Sequence, residues 1–247
     1  MVLSGLFSRI RPIGPRDFTA TGTFDIRAVC GINSYTARMS TCIRTVYEKR
    51  LDMPPRSRVE TMEENRAKLI AAARKAFAEK GFAASSMDDL AADAGLTRGA
   101  LYHNFGDKKG LLAAVVAEVD GEMATRARKA ALGKKSGWEQ LLAEGVAYIE
   151  MALEPEVQRI VLLDGPAFLG DPSQWPSQNA CLQMTKQAVT GLVSDGTIKP
   201  VDVDAASRLL SGAALTAALW VAASEEPRAA LPRAVEAFQF MASGLLA

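Results

Sequence analysis

Two short helical signals joined by a glycine, running from Ser86 to Phe105, constrain this chain more than any other feature. Met87, Leu90 and Ala91 fall at i, i+3 and i+4, one apolar stripe on a predicted helix of about Met87–Ala94. Ser86 is its N-cap, with Asp89 three residues on, a capping-box spacing with Asp in place of Glu. Gly95 permits the left-handed backbone that a tight inter-helix turn needs. Thr97 then caps a second helix reaching about Asn104, whose Leu96, Leu101 and Phe105 supply the facing apolar side. Helices of about two turns are unstable alone, so both must lean on neighbours. The neighbours are legible. Leu69, Ile70, Ala73, Ala76 and Phe77 recur at helical spacing over about Val59–Lys80, with Gly81 as C-cap, and a further helix follows from Lys108 to about Leu132.

Three packed helices with a glycine turn form a helix-turn-helix domain, whose second helix enters the DNA major groove by its N-terminal end. The residues that this core leaves over are Thr97, Arg98, Gly99, Ala100, Tyr102 and His103. Arg98 is able to donate two hydrogen bonds to a guanine edge, a pairing worth about 1–3 kcal/mol of discrimination. Gly99 and Ala100 allow close approach. Thr97, Tyr102 and His103 carry groups that bond phosphate oxygens, which fix register without reading sequence. Lys108 lies in the first turn of the next helix, where free N–H groups already favour a phosphate. The competing reading, a helical hairpin with exposed polar residues, does not account for the agreement of lengths, caps and turn.

At these residues the chain resembles the TetR family of bacterial regulators. The matching strings are Phe77-Ala-Glu-Lys-Gly-Phe82, Leu90-Ala-Ala-Asp-Ala-Gly95 and Gly99-Ala-Leu-Tyr-His-Asn-Phe105, followed by Lys108 and Leu111-Leu112. The resemblance implies an all-α protomer with three parts. Residues 1–57 would be an extension, 58–106 the helix-turn-helix domain, and 107–247 a ligand-binding and dimerisation domain. It also implies that Ser86, Thr97, Tyr102 and Lys108 contact phosphates, and that Arg98, Gly99, Ala100 and His103 face bases or the groove wall. One departure stands out. Asp88 and Asp89 suit the dipole at the start of their helix but repel a phosphate if they face the DNA.

The remaining two thirds read as helices with no sustained period-2 alternation, so the fold class is all-α. They are expected at about Trp138–Leu153, Pro155–Leu163 (ended by Gly165-Pro166), Ser177–Ser194, Asp202–Ser224 and Pro227–Leu246, with Phe168–Pro176 irregular. The family resemblance implies a small-molecule cavity here, with Trp138, Tyr148, Met151, Leu162, Phe168, Trp175, Met184 and Trp220 as candidate lining residues. Sparse charge among them points to an apolar or aromatic effector. The last two helices, 202–224 and 227–246, are the expected homodimer surface. Ser207, Ser211, Gly212, Ala213, Ala214, Ala217 and Ala218 make a small-residue face there, and Leu210, Leu215, Leu219, Phe238, Met241 and Leu245 add apolar area. A two-fold dimer matches a palindromic operator in double-stranded DNA.

Function therefore reads as a DNA-binding regulator, a repressor released from its operator by a small effector. An activator, or a helical small-molecule-binding protein without DNA binding, are the alternatives. Enzyme chemistry finds little support. His103 is the sole histidine and sits in the recognition helix, leaving no Ser-His-Asp triad elsewhere and no histidine-based metal site. There is no phosphate-cradling glycine loop, and no cofactor is implied. The apolar run Leu209–Ala223 is too short and interrupted to span a bilayer, and the N-terminus is a poor signal peptide. Cys30, Cys42 and Cys181 form neither a disulfide framework nor a metal site, which points to a reducing, cytoplasmic setting. Residues 1–57 carry nine Lys/Arg against four Asp/Glu, whereas 119–247 carry eleven against fifteen. A basic front and an acidic body suit a DNA-facing end. Within the front segment, Thr36–Leu51 is the one helical candidate. Met53-Pro-Pro-Arg-Ser-Arg58 has the look of a native start with a short basic arm, rather than residues 1–52 being a disordered DNA-binding arm.

Overall fold

The computed structural model describes residues 58–247, and the expectations for residues 1–57 lie outside it. Helix α1 (Arg58–Lys80) ends at Gly81, whose φ of +81° closes the helix as the sequence predicts. Helix α2 (Met87–Asp93) begins at Ser86, whose hydroxyl accepts from the Asp88 and Asp89 N–H groups. Gly95 turns the chain at φ +66°. The Leu96 N–H reaches the Ala91 carbonyl and the Gly95 N–H the Ala92 carbonyl, each at 2.9 Å, the paired bonds of a Schellman ending. Thr97 accepts from the Ala100 N–H to start α3 (Arg98–Phe105), and Asp107 accepts from Gly110 to start α4 (Lys108–Ala131).

Leu90, Ala91 and Leu101 are buried against Leu69, Phe77, Leu111, Leu112 and Val115, with Met87, Leu96 and Phe105 half-buried around them. The apolar stripe that defines α2 and α3 in the sequence is thus the stripe that α1 and α4 cover.

The body continues with α5 (Gly137–Glu150) and a 3-10 turn at Met151–Leu153. Helix α6 (Pro155–Val157) then runs into a π-helical stretch, Gln158–Asp164, and on into α7 (Gly165–Leu169). Here the sequence misleads, because Gly165-Pro166 does not end the helix. The Gly165 N–H bonds back to the Ile160 carbonyl, five residues away. The widened turn carries the chain past Pro166, whose missing N–H and bulky ring a regular turn does not tolerate. Pro172–Gln174 is a 3-10 turn in the expected irregular stretch.

Helices α8 (Pro176–Ser194), α9 (Val203–Ala223) and α10 (Pro227–Ser243) complete the bundle. At 21 residues α9 is long and apolar enough to cross a membrane, which the interrupted run Leu209–Ala223 does not suggest. Its Ala206, Ser207, Ala214, Ala218, Val221 and Ala222 are instead buried within the protomer. A second, smaller core of Val189, Leu192, Ile198 and Ala206 closes the far end of the bundle. No strand occurs among the described residues; an isolated bridge pairs Ile198 with Leu246.

Candidate nucleic-acid interface and adjoining cavity

Ser86, Thr97, Arg98, Gly99, Tyr102 and His103 are exposed, and Ala100 is half-buried against the turn. These seven come together around the α2–α3 turn and along α3. Arg98 does not stand free. Its Nη1 donates to Asp88 at 3.1 Å and its Nη2 to the Tyr102 hydroxyl at 3.1 Å, with the guanidinium 5.4 Å from the Tyr102 ring centre. The Tyr102 hydroxyl, then the Asp88 charge, hold Arg98 protonated even more firmly than usual. The sequence warning about Asp88 therefore has a structural answer, since its charge is turned onto Arg98.

Lys108 is engaged elsewhere. Its Nζ donates to the Ala83 carbonyl at 3.3 Å and lies 4.5 Å from the centre of the Phe82 ring, and burial lowers its pKa. One of three ammonium donors is used there, which leaves two for a phosphate.

The α1–α2 connection is clamped to the body from below. Asp164, at the end of the π-helical stretch, accepts from the Phe82 N–H at 2.7 Å and pairs with Arg159 at 3.3 Å. Gly81 is favoured here chiefly by its backbone. Its φ is left-handed, and a Cβ would fall 1.9 Å from the Arg159 guanidinium. Phe82 packs against Phe168 of α7, the rings tilted by 43° with centres 4.4 Å apart. Arg74 of α1 pairs with Glu118 and Glu122 of α4 and with Glu156 of α6, at 2.7–3.1 Å. Apart from the local Arg159–Asp164 pair, these links do not show in the sequence, because they join residues 44 to 86 positions apart.

A cavity of about 100 Å3 lies between α4, α5, α8, α9 and α10. Its walls follow helical spacing: Ala124, Ala127 and Arg128 on α4; Leu141, Glu144, Gly145 and Tyr148 on α5; Gln178, Cys181 and Thr185 on α8. Leu210, Ser211 and Ala214 of α9 and Phe238 of α10 close it. Gly145 lets Phe238 in, since a Cβ there would stand 2.5 Å from the ring. Of the eight residues proposed from sequence, Tyr148 and Met184 line this cavity. The other six are placed elsewhere. Trp138 packs on the second core, and Met151 and Leu162 are buried in the main core. Phe168 packs against Phe82, Trp175 is buried against Gly165, and Trp220 is exposed beneath Arg233. Selecting large apolar residues favoured the core, which wants the same side chains. The i, i+3, i+4, i+7 face of α5 with a charge in its middle was the better signal.

Below the cavity Asp120 is fully buried and accepts from Gln178 Nε2 at 3.0 and 3.1 Å. The same nitrogen lies 3.1 Å from the Tyr148 hydroxyl. Burial raises the pKa of Asp120, of Tyr148 and of Cys181. Among the described residues no group of three metal-ligating side chains is found.

The small-residue face of α9 is divided. Ser207, Ala214 and Ala218 are buried within the protomer, as is Phe238, and Ser211 faces the cavity, so these do not offer a surface to a second copy. The outward stripe consists instead of Leu209, Thr216 and Trp220, beside Phe240 and Met241 of α10.

Residues 69–115 match the family model described as bacterial regulatory proteins of the tetR family, and residues 138–245 match a tetracyclin repressor-like C-terminal domain. A TetR-family transcriptional regulator from Pectobacterium atrosepticum is 47% identical, with a TM-score of 0.71, covering 77% of this chain and 98% of its own. The TetC protein of transposon Tn10 from Escherichia coli is 26% identical over 156 residues, 58% of this chain and 73% of TetC. The HTH-type transcriptional regulator TtgR of Pseudomonas putida is 42% identical over 57 residues, 23% of this chain and 27% of TtgR. The reading unit, the helical body behind it and these likenesses agree: the chain belongs to the TetR family of DNA-binding transcriptional regulators.

Proposed function

We propose that this regulator is a repressor whose operator affinity falls when a compact apolar or aromatic effector enters the cavity. Helix α4 carries that reading. One unbroken helix packs against the reading unit at Leu111, Leu112 and Val115, and lines the cavity at Ala124, Ala127 and Arg128. A ligand that shifts its far end moves the near end with it. The boundary between a reading domain at 58–106 and an effector and dimer domain at 107–247 then falls at the start of this helix. On the DNA, Ser86, Thr97, Tyr102 and Lys108 take phosphates, Arg98 takes a guanine edge, and Gly99, Ala100 and His103 lie along the groove wall.

Two protomers joined through the outward stripe of α9 and α10 present two recognition helices to adjacent major grooves, about 34–36 Å apart. Leu209 is 74% exposed, Phe240 79% and Met241 67%, apolar area that a second protomer would cover. The setting is the cytoplasm, where the chromosome is.

Selection of bound duplexes from randomised DNA, followed by fluorescence anisotropy with and without effector, tests the proposal. Enrichment of a two-fold symmetric site and weaker binding in the presence of effector are expected. A demonstrably bound ligand that leaves operator affinity unchanged would overturn the release mechanism.

A further inference from the structure

We infer that the cavity selects a compact hydrophobic amine, a single ring-sized body whose protonated nitrogen is received by Glu144. The inference rests on the effector reading of the cavity and adds the chemical class. Size comes first. A cavity of about 100 Å3 is on the scale of one aromatic ring, given that a dry cavity of about 150 Å3 takes up benzene. The walls Leu142, Met184, Leu210 and Phe238 are apolar and receive the ring.

Charge decides the rest. Glu144 projects from the cavity face of α5, half-buried, and among the described residues it accepts no hydrogen bond and forms no ion pair. Burial pushes its carboxyl pKa up, against the opposing pull of the Arg128 charge. Arg128 lines the same cavity and attracts Glu144 at a distance, but it is exposed, its Nε is held by the Ala124 carbonyl at 3.3 Å, and no hydrogen bond joins the two. Beneath lies the second carboxylate, Asp120, its oxygens turned to Gln178. The Arg128 charge acts on Glu144, while Asp120 is fully buried outside the lining. A ligand carboxylate adds negative charge beside Glu144, whereas an ammonium supplies the hydrogen-bonded cation that Glu144 lacks and compensates its desolvation. The Phe238 and Tyr148 rings in the same lining add attraction for a cation.

Calorimetry on the full chain at neutral pH with benzylamine, benzyl alcohol and benzoate tests this, because the three share a ring and differ in charge. Benzylamine is expected to bind about tenfold tighter than benzoate, and E144Q to cut its advantage over benzyl alcohol about tenfold, the effect of one charge-assisted bond. Benzoate binding as tightly as benzylamine, an amine-to-alcohol ratio unmoved by E144Q, or no binding by any of the three would overturn the inference. A cavity-filling variant, A214L, checked for unaltered circular dichroism, separates the two levels. If it blocks benzyl alcohol while no amine preference exists, the ligand class falls and the cavity stands. If it blocks none of the bound probes, the cavity falls as well, and the inference with it.

Discussion

Arg98 Nη1 lies 3.1 Å from both carboxylate oxygens of Asp88, so the side chain best suited to read a guanine is held by the neighbouring helix. Both groups are more than half exposed, so water and salt screen the pair. The contact is loose enough to break and still positions the guanidinium along α3. Replacing Asp88 by Asn frees Arg98 and removes a negative charge from beside the recognition helix. Operator Kd is expected to fall about two- to fivefold, with non-specific DNA binding tightened by a similar factor. R98A is expected to weaken operator binding by about tenfold or more and to relax selection at one base pair per half-site. Anisotropy titrations against single-base operator variants check both; unchanged preference at every position in R98A would remove Arg98 from base reading.

Asp164 connects the body to the reading unit through one backbone bond, from Phe82 N–H at 2.7 Å. D164A leaves that part-buried N–H without an acceptor and Arg159 without its partner. The expected cost is about 1–3 kcal/mol, or roughly 2–12 °C in Tm for a chain of this size. The link also spans the two functions, so the fold-change in operator affinity caused by effector is expected to shrink in D164A. Thermal unfolding and anisotropy read the two effects separately, and a coupling as large as that of the parent would show that α4 alone transmits the signal.

The reading unit was legible because its information is local. Ser86, Gly95 and Thr97 cap and turn the chain through bonds to residues within five positions, and the stripe Met87, Leu90, Ala91 has one face to hide. The cavity was not, because it forms where five helices fail to fill space, and that depends on which faces meet. Trp175 and Met151 are as apolar as any ligand contact and are simply core. The clamp of Arg74, Asp164 and Arg159 was invisible for the same reason: its carboxylates look like solvated helix faces until α6 and the π-helical stretch are laid against α1. The π-helical stretch itself reads as a helix end, since Gly165-Pro166 is a stop signal unless the turn before it widens.

The outward stripe of α9 and α10 predicts assembly. F240E places a charge where Phe240, Met241 and Leu209 expose apolar area, and neither Phe240 nor Met241 is buried in the protomer core. Folding is expected to persist with Tm changed little, whereas sedimentation velocity shifts from dimer to monomer. Operator binding falls with it, because each half-site is then bound alone. A variant that remains dimeric would move the interface off this face.

Arg74 gathers three carboxylates at once and sets the acid limit of the fold. Its bonds to Glu122 draw that carboxyl below the usual Glu range, as Arg126 does for Glu154. A carboxylate lowered in the folded state contributes stability above its unfolded pKa of about 4.3, and that contribution is lost as pH falls through the lowered value. R74M removes the cation and leaves Glu118, Glu122 and Glu156 facing one another. Arg74 is 22% exposed while its partners range from 37% to 51%, so screening trims the expected loss to about 1–2 kcal/mol at neutral pH. The Tm gap between parent and R74M is therefore expected to be widest above about pH 5 and to narrow steadily below about pH 4 as the carboxylates protonate in both. Calorimetric scans across that range measure it; a gap independent of pH would mean that Arg74 acts through its packed stem and not through its charge.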